Sequence, residues 1–404
     1  MSVSAIFAFV AGLSFWSSMG CNLPIMPLYV GEELKGEAYV GLVMATFATG
    51  LILFRGALGR LTDRWGRRRS MQMGLIIAGT IPLLYHLLPH VPVVIALRPV
   101  HALAVGSFAT GYAALMGDIA PPGKRGQVIG FLSLVNPLGL GLGPWAGDTL
   151  RAALGYGAAF AMASTFAMIG LLCTLFVQDN YEPRLYHKQK YLPIWKLVTT
   201  AKVRSPAFVL LAVGMVFGIV STYLPKLMDE LNLGVGAGTF YAAASMAQFI
   251  FRMPVASLGD RYGRGIFVTF SLVCYALSMV IVATANSAEA IVMGAILDGV
   301  AAGTAIPTVI AWLADRTSPQ ERGTVMGTAW LGFDVGIATA ASMVGWVMQL
   351  LPPSVPLVTV FWIASLLSLL ALVVFVVTCS DNVAESVKFA LGRGKDKYAI
   401  TNQT

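Results

Sequence analysis

The sequence Phe54-Arg-Gly-Ala-Leu-Gly-Arg-Leu-Thr-Asp63-Arg-Trp-Gly-Arg67 returns in altered form 197 residues later, as Phe251-Arg-Met-Pro-Val-Ala-Ser-Leu-Gly-Asp260-Arg-Tyr-Gly-Arg264. Phenylalanine, arginine, leucine, aspartate, an aromatic residue and glycine recur in step. Each copy closes one apolar segment and precedes another. A charged loop repeated between apolar helices indicates a membrane protein with two similar halves, which can rock about a shared central site.

The composition also indicates a membrane protein. Hydrophobic residues make up 57% of the chain and charged residues only 11%, whereas soluble proteins carry about 25% charged residues. A helix of roughly 20 apolar residues crosses about 30 Å of hydrocarbon. We therefore predict an all-α fold of twelve transmembrane helices in two six-helix halves, with spans near residues 3–30, 38–59, 70–89, 92–117, 126–149, 153–178, 206–228, 236–257, 265–286, 289–314, 322–350 and 355–379.

The longest polar stretch between spans divides the chain. We predict an N-terminal half at 1–178, a linker at 179–205, a C-terminal half at 206–379 and a tail at 380–404. The linker is either solvated or forms a short amphipathic helix on the inner leaflet. The tail is polar, and we expect it to be mobile. We expect no cleavable signal peptide, because no polar region precedes the first apolar run.

The distribution of basic residues predicts the orientation. An even number of spans puts both termini on one side, and the loops of that side hold Arg60, Arg64, Arg67, Arg68, Arg69, Lys124, Arg125 and the lysines of the linker. The opposite loops are acidic, with Glu32, Glu33, Glu37, Asp229 and Glu230. Basic loops face the cytoplasm, so both termini are predicted to be cytoplasmic, and the net charge of +8 requires no nucleic acid.

A second pair of loops repeats with the same offset. Asp118-Ile-Ala-Pro-Pro-Gly-Lys-Arg125-Gly-Gln-Val-Ile-Gly130 matches Asp315-Arg-Thr-Ser-Pro-Gln-Glu-Arg322-Gly-Thr-Val-Met-Gly327. Together with Gly59-x-Leu-x-Asp63-Arg-x-Gly66-Arg-Arg68, this pattern resembles the major facilitator superfamily over the whole chain, and bacterial proton-coupled drug and metabolite exporters in particular. The second loop copy departs from the signature, with Ala256 for the first glycine and Gly265 for the second basic residue.

The resemblance implies a conformational latch at the repeated loop. The Asp63 carboxylate could bind free N–H groups at a neighbouring helix N-terminus, or pair with Arg64 or Arg125. The resemblance places its second-half partner around residues 318–321. Alternatively, the arginines only anchor the helices to anionic lipid. The expected latch residues are Gly59, Asp63, Arg64, Gly66, Arg67, Arg125, Asp260 and Arg261.

The fifth span carries a glycine pattern that its second-half counterpart lacks, formed by Gly130, Gly139, Gly143, Pro144 and Gly147. The pattern resembles one found in proton-coupled exporters of the superfamily. Three of its glycines share one helix face, and small residues let helix backbones approach closely in lipid, while a proline permits a bend. We expect either a tight, bendable contact with the other half that seals against leak, or ordinary helix packing.

Four ionisable residues lie inside predicted spans, where such residues are costly and usually functional. Arg98 and His101 are one helical turn apart. His101 and Asp298 are repeat equivalents, each roughly 14 Å into its helix, so the repeat predicts that they face each other across a central cavity. Asp334 also lies near the midplane.

We hypothesise that Asp298 or Asp334 carries a coupling proton, because a carboxyl group in a low-dielectric cavity holds its proton more tightly than in water. Arg98 and His101 would tune it or bind an anionic group. The alternatives are a satisfied structural histidine and aspartates paired with neighbouring helices. Many drug exporters of the superfamily carry an acidic residue in the first span, where this chain has Asn22, which cannot carry a proton.

The expected function is therefore secondary active transport of a small molecule by alternating access, with proton-coupled efflux favoured. Proton-coupled uptake or facilitated diffusion is the alternative, and a lipid-flipping protein is a more remote one. Without a phosphate-binding loop or a hydrolase motif, we expect neither ATP use nor enzymatic activity. We expect no cofactor and no metal, since the four cysteines are isolated. The expected partners are a small-molecule substrate and the lipid bilayer, with no nucleic acid, for a monomer in a bacterial inner membrane.

Overall fold

Every regular element in the described part of the chain is helical. The computed structural model describes residues 3–119, 125–179, 200–317, 322–350, 356–380, 382–394 and 396–400. The α-helices are α1 (Val3–Leu28), α2 (Val40–Trp65), α3 (Arg67–Leu87), α4 (Val91–Ile119), α5 (Arg125–Ser133), α6 (Val135–Leu154), α7 (Tyr156–Thr174), α8 (Ala201–Leu231), α9 (Ala237–Tyr262), α10 (Arg264–Ala283), α11 (Ala288–Asp315), α12 (Arg322–Leu350), α13 (Thr359–Thr378) and α14 (Val383–Ala390). A π-helical turn, Tyr29–Glu33, continues α1.

Helices lie over all twelve predicted spans, and the predicted all-α fold is confirmed. Within the described ranges, ten helices are long and apolar enough to cross a membrane. The fifth and eighth spans are not among these ten. The fifth consists of α5 and the glycine-rich α6, which meet at Leu134, and the eighth is α9, whose Gln248 and Arg252 lower its hydropathy.

The described residues form two compact units. The first contains residues of Met1–His187, Ser221–Ser245 and Gly345–Gln349, and the second contains residues of Lys188–Val220, Met246–Val344 and Leu350–Thr404. In the first unit α1 packs on α6 and α7, and α4 packs on α2 and α3. In the second unit α10 packs on α11 and α13. Contacts define these units, and each unit combines separate stretches of the chain. The predicted halves are continuous stretches of sequence, so the units do not test their bounds, which stay a prediction.

The loop repeat is present in the geometry as well as in the sequence. Gly66 and Gly263 each separate two helices with a positive φ, 92° and 88°, a conformation that favours glycine. The arginine that follows each glycine binds the aspartate of the second repeated loop: Arg67 Nε lies 2.8 Å from Asp118 Oδ2, and Arg264 Nε lies 3.1 Å from Asp315 Oδ2. Each unit therefore holds its own copy of the same ion pair.

The expectation that the tail is mobile is wrong for its described part. After α13 the chain folds back as α14 and buries Phe389 and Ala390 against the second unit. The tail reads as polar in sequence because its apolar residues are few, but α14 gathers them on one face.

Candidate functional site

The structure brings Arg98 and His101 together in the interior of the first unit. The Arg98 side chain lies among neutral groups: its Nε donates to the Val43 carbonyl at 3.3 Å, and its Nη2 lies 3.5 Å from Met44 Sδ. The guanidinium also lies 4.6 Å from the centroid of the Phe47 ring. Arg98 is 5% exposed, and no carboxylate among the described residues pairs with it. It is therefore a buried cation that can accept an anionic partner.

His101 has one ring nitrogen bound and one open. Its Nδ1 lies 3.2 Å from the Tyr85 hydroxyl, which also interacts with the Arg98 side chain. Nε2 is buried and has no hydrogen-bond partner in the described part of the chain. Tyr85 thus joins the two predicted residues. Neither Tyr85 nor Phe47 was predicted, because an aromatic residue in an apolar span carries no signal that separates it from the core.

Asn22 lies at a buried polar stripe on α1. Its Nδ2 donates to the Ser18 carbonyl at 2.9 Å, while its Oδ1 and the hydroxyls of Ser17 and Ser18 find no partner among the described residues. A buried polar group without a partner costs about 1–3 kcal/mol. A polar substrate group or water at this stripe would recover that cost.

The two candidate proton carriers lie in the second unit and differ in their surroundings. Asp298, in α11, is partly buried, and none of the described residues donates a hydrogen bond to its carboxylate or forms an ion pair with it. Asp334, in α12, is 2% exposed and has an interaction partner. Tyr275 of α10 lies close enough to Asp298 to interact with its charge. The predicted opposition of His101 and Asp298 joins the two units and stays a prediction.

The glycine face of α6 packs on α1, within the first unit. Of the two alternatives, this contact fits ordinary helix packing and not a contact with the other half. A Cβ atom at Gly143 would overlap the Ser17 carbonyl and lie 2.9 Å from the Cys21 nitrogen, and one at Gly139 would lie 2.8 Å from the Ser17 nitrogen. Gly147 makes the same kind of approach to Cys21. The spacing shows only that the glycines share a face, not which helix covers it. Gly130, in α5, has open space around it.

Gly143→Ala is expected to lower the stability of the folded protein, because the added methyl group must push α1 and α6 apart. Overpacking of this kind costs about 1–3 kcal/mol. Thermal unfolding in detergent measures the loss. Gly130→Ala is the matched control and should be neutral or slightly stabilising, and an equal loss in both variants would contradict the close-packing argument.

The opposite face of α6 carries a polar contact that sequence reasoning missed. Asp148 Oδ2 accepts the Gly238 N–H at 2.9 Å, at the N-terminus of α9. Arg151 donates to Asp148 Oδ1 at 3.3 Å and to Asp229 Oδ1, near the end of α8, also at 3.3 Å. We call Asp148, Arg151, Asp229 and Gly238 the acidic closure. A carboxylate at a helix N-terminus is stabilised by the positive end of the helix dipole.

Two glycines admit the carboxylate of the acidic closure. A Cβ atom at Gly236 would overlap Asp148 Oδ2. A Cβ atom at Gly238 would lie 3.0 Å from Asp148 Cβ and 2.8 Å from the Pro144 carbonyl oxygen, so it would push α9 away from α6. In the sequence, Asp148 is an aspartate inside the predicted span 126–149, and Gly236 and Gly238 begin the predicted span 236–257. Nothing in the sequence indicates that these residues are in contact.

Further polar contacts surround the acidic closure in the first unit. The Tyr156 hydroxyl donates to Glu32 Oε2 at 2.5 Å, Lys226 pairs with Glu37, and Gln349 Nε2 donates to the Ala38 carbonyl at 2.6 Å. Polar contacts thus join residues 32–38, between α1 and α2, to helices α7, α8 and α12. Polar contacts of this kind can be broken and hydrated, unlike a packed apolar core.

The predicted latch lies largely outside the described side chains. The side chains of Asp63, Arg125 and Asp260, the surroundings of Gly59, and residues 318–321 are among those not described. Arg64 and Arg261 are exposed, and the Arg261 guanidinium lies 5.3 Å from the Tyr262 ring centroid. The Arg68 N–H donates to the Asp179 carboxylate at 2.9 Å. The latch therefore stays a prediction.

Comparison with known sequences identifies the family of this chain. The family model for the Major Facilitator Superfamily matches residues 5–248 and 237–398. The chain is 24% identical over 361 residues to the multidrug resistance protein MdtG of Salmonella arizonae, covering 85% of this chain and 87% of that protein. It is 24% identical over 276 residues to the MFS-type transporter SLC18B1 of Rattus norvegicus, covering 65% of this chain and 59% of that protein.

Two solved structures share this architecture. A mutant of the nucleoside transporter NupG superimposes with a TM-score of 0.77 at 13% identity, covering 92% of this chain and 98% of that one. The human organic anion transporter MFSD10 superimposes with a TM-score of 0.67 at 17% identity, covering 92% and 99%. At these identities the likeness concerns the fold alone.

Proposed function

Because the chain belongs to the Major Facilitator Superfamily, a family of multi-pass membrane transporters, we propose that it exports a small molecule in exchange for protons by alternating access. The membrane would be a bacterial inner membrane with both termini in the cytoplasm. The proton gradient would supply the energy, about 2.3 kcal/mol per charge per 100 mV plus the pH contribution.

The environment of Asp298 is the observation that supports proton coupling. It lies in the interior of α11 with no hydrogen-bond donor or cation beside it among the described residues. A carboxylate with such partners would be held in its charged form. Without them, Asp298 can take up a proton or accept a cationic group of the substrate, which is the competition that antiport requires.

Export is supported by two further observations. The glycine pattern of α5 and α6 is similar to that of proton-coupled exporters, and the bacterial relative reported above is a multidrug resistance protein. The acidic closure supports alternating access. It joins α6 to the end of α8 and the start of α9 through a carboxylate, an arginine and a helix N-terminus. Water could satisfy all of these groups when the closure opens.

Transport by purified protein in liposomes tests the proposal. We would impose a pH gradient in either direction and follow a cationic dye, ethidium, and an anionic dye, fluorescein. Antiport predicts that a dye accumulates only when protons move the opposite way, and that a protonophore abolishes the accumulation. Accumulation in the direction of proton flow would indicate symport, and equilibration without accumulation would indicate facilitated diffusion; either result would contradict antiport.

A further inference from the structure

The C-terminal segment returns to the second unit and is held there at several points. Asn382 Oδ1 caps α14 by accepting the Glu385 N–H at 2.8 Å, and the Ser380 N–H donates to Ser386 Oγ at 2.8 Å. Beyond α14, the Ile400 N–H donates to the Asp315 carbonyl at 2.8 Å. The segment is therefore a folded element with its own cap and its own contacts.

Arg316 is the centre of these contacts. It is 0% exposed, and its Nε and Nη2 bind the two oxygens of Asp396 at 2.7 and 2.8 Å. The guanidinium lies 4.3 Å from the Trp312 ring centroid and 4.9 Å from that of Tyr398. The Trp312 indole N–H also donates to Asp396 at 2.9 Å. The Asp396 side chain is 11% exposed, so the pair is largely buried. Removing one partner of such a bidentate pair leaves a buried charge without compensation and destabilises the fold.

The remaining donors of Arg316 reach two other segments. Nη1 donates to the Lys202 carbonyl at 3.1 Å, at the start of α8, and Nη2 donates to the Cys379 carbonyl at 3.2 Å, at the end of α13. One guanidinium thus joins the end of α11, the start of α8, the end of α13 and the tail. The four segments cannot separate without breaking hydrogen bonds of a guanidinium that is fully buried.

The tail also rests on the second copy of the repeated loop. A Cβ atom at Gly265 would overlap the Phe389 carbonyl group, with its carbon 2.6 Å away. Thr269 Oγ1 donates to the Ala390 carbonyl at 2.9 Å. In the first copy the equivalent position is Arg68, whose N–H donates to the Asp179 carboxylate at 2.9 Å. The loss of the second basic residue from the second loop therefore makes room for α14.

We propose that the described residues of 382–400 form a permanent clamp that fixes the α9–α10 loop to the start of α8 and to the ends of α11 and α13, and so leaves conformational switching to the first loop copy. The clamp itself is independent of transport. The clause about switching rests on the proposed function, because only an alternating-access protein has a loop that must switch.

Cys379 reports whether the clamp is docked. It is buried, and its Sγ lies 3.4 Å from the Ser386 carbonyl under α14. Burial raises the pKa of the Cys379 thiol to about 11, and only the thiolate reacts readily with a maleimide. We would replace Cys21, Cys173 and Cys274, and measure the rate at which Cys379 reacts in detergent.

The clamp predicts slow labelling of Cys379 in the otherwise unaltered protein. Asp396→Asn and Gly265→Arg should each raise the rate about tenfold or more. The first removes the ion pair with Arg316, and the second fills the space that α14 occupies. Glu385→Gln is the matched control and should leave the rate unchanged. Glu385 is exposed, and among the described residues its carboxylate binds only Ser380 Oγ, at 3.3 Å. A second protein that retains only buried Cys274 checks folding. Unchanged Cys379 labelling in both clamp variants would overturn the clamp. An equal rise in the labelling rate of Cys274 would also overturn it, because the substitutions would then loosen the whole unit and not the clamp alone.

The repeat offers a matched pair of positions for testing which loop copy switches. Trp65 and Tyr262 are equivalent and similarly exposed, 48% and 51%. In liposomes with and without an imposed pH gradient, labelling of Trp65→Cys should change and labelling of Tyr262→Cys should not. Adding Asp396→Asn should make the second site responsive. A gradient-dependent change in the labelling of Tyr262→Cys with the clamp intact would show that the second loop copy also switches, contrary to the proposal. Failure of gradient-driven transport would count against the proposed function, while Cys379 labelling would still decide the clamp.

Discussion

Asp298→Asn is expected to abolish dye accumulation driven by a pH gradient, while dye exchange down its own gradient continues. Asparagine keeps the shape of the side chain but cannot bind and release a proton. A gradient of one pH unit supplies about 1.4 kcal/mol per proton, enough for about tenfold accumulation in a one-for-one exchange. The variant should show no accumulation in liposomes in which the unaltered protein reaches this level.

Two comparison variants make the result specific. Asp298→Glu restores a carboxyl group and should recover part of the accumulation. Asp334→Asn tests the other candidate, which is more deeply buried and already has a partner. If both asparagine variants still accumulate dye with the pH gradient, neither aspartate carries the proton and the coupling hypothesis is wrong.

Asp148→Ala is expected to open the acidic closure. The substitution leaves the Gly238 N–H without its acceptor and Arg151 with only Asp229 in the closure. Hydrogen bonds to charged groups contribute about 1.5–3 kcal/mol, so the population open at this end should rise about 10- to 100-fold. The maleimide labelling rate of Ala237→Cys, a buried position at the start of α9, measures the opening in a protein without other cysteines.

Glu230→Gln is the control for the acidic closure. Glu230 lies nearby but is exposed and pairs loosely with Lys226 at 3.8 Å, so its loss should not change labelling at residue 237. Equal labelling in the Asp148→Ala and unaltered proteins would show that Asp148 does not hold this end shut.

The fold and its internal symmetry could be predicted because they depend on patterns that one sequence contains. Apolar length predicts a span, and two loops with one offset predict duplication. The offset even relates Arg67 and Asp118 to Arg264 and Asp315, which form equivalent ion pairs. What the offset does not contain is the contact between the two loops of each pair, because that depends on how the helices pack.

Parts of the site could not be predicted for the same reason. The spacing of Gly139, Gly143 and Gly147 defines a helix face, but only packing shows that α1 covers it. Asp148 was a lone charge at the end of a span until the structure placed it at the N-terminus of α9. The substitution of Gly265 for a basic residue looked like erosion of a motif, but the structure shows a helix seated on that glycine.

Proton movement measured without an imposed gradient tests the central claim most directly. Liposomes containing the protein and a trapped pH-sensitive dye are exposed to the compound that the transport assay identifies as a substrate. Antiport predicts that substrate entering the liposomes drives protons out, raising the internal pH, and that Asp298→Asn gives no change. Substrate entry without any change in internal pH in the unaltered protein would contradict proton-coupled export.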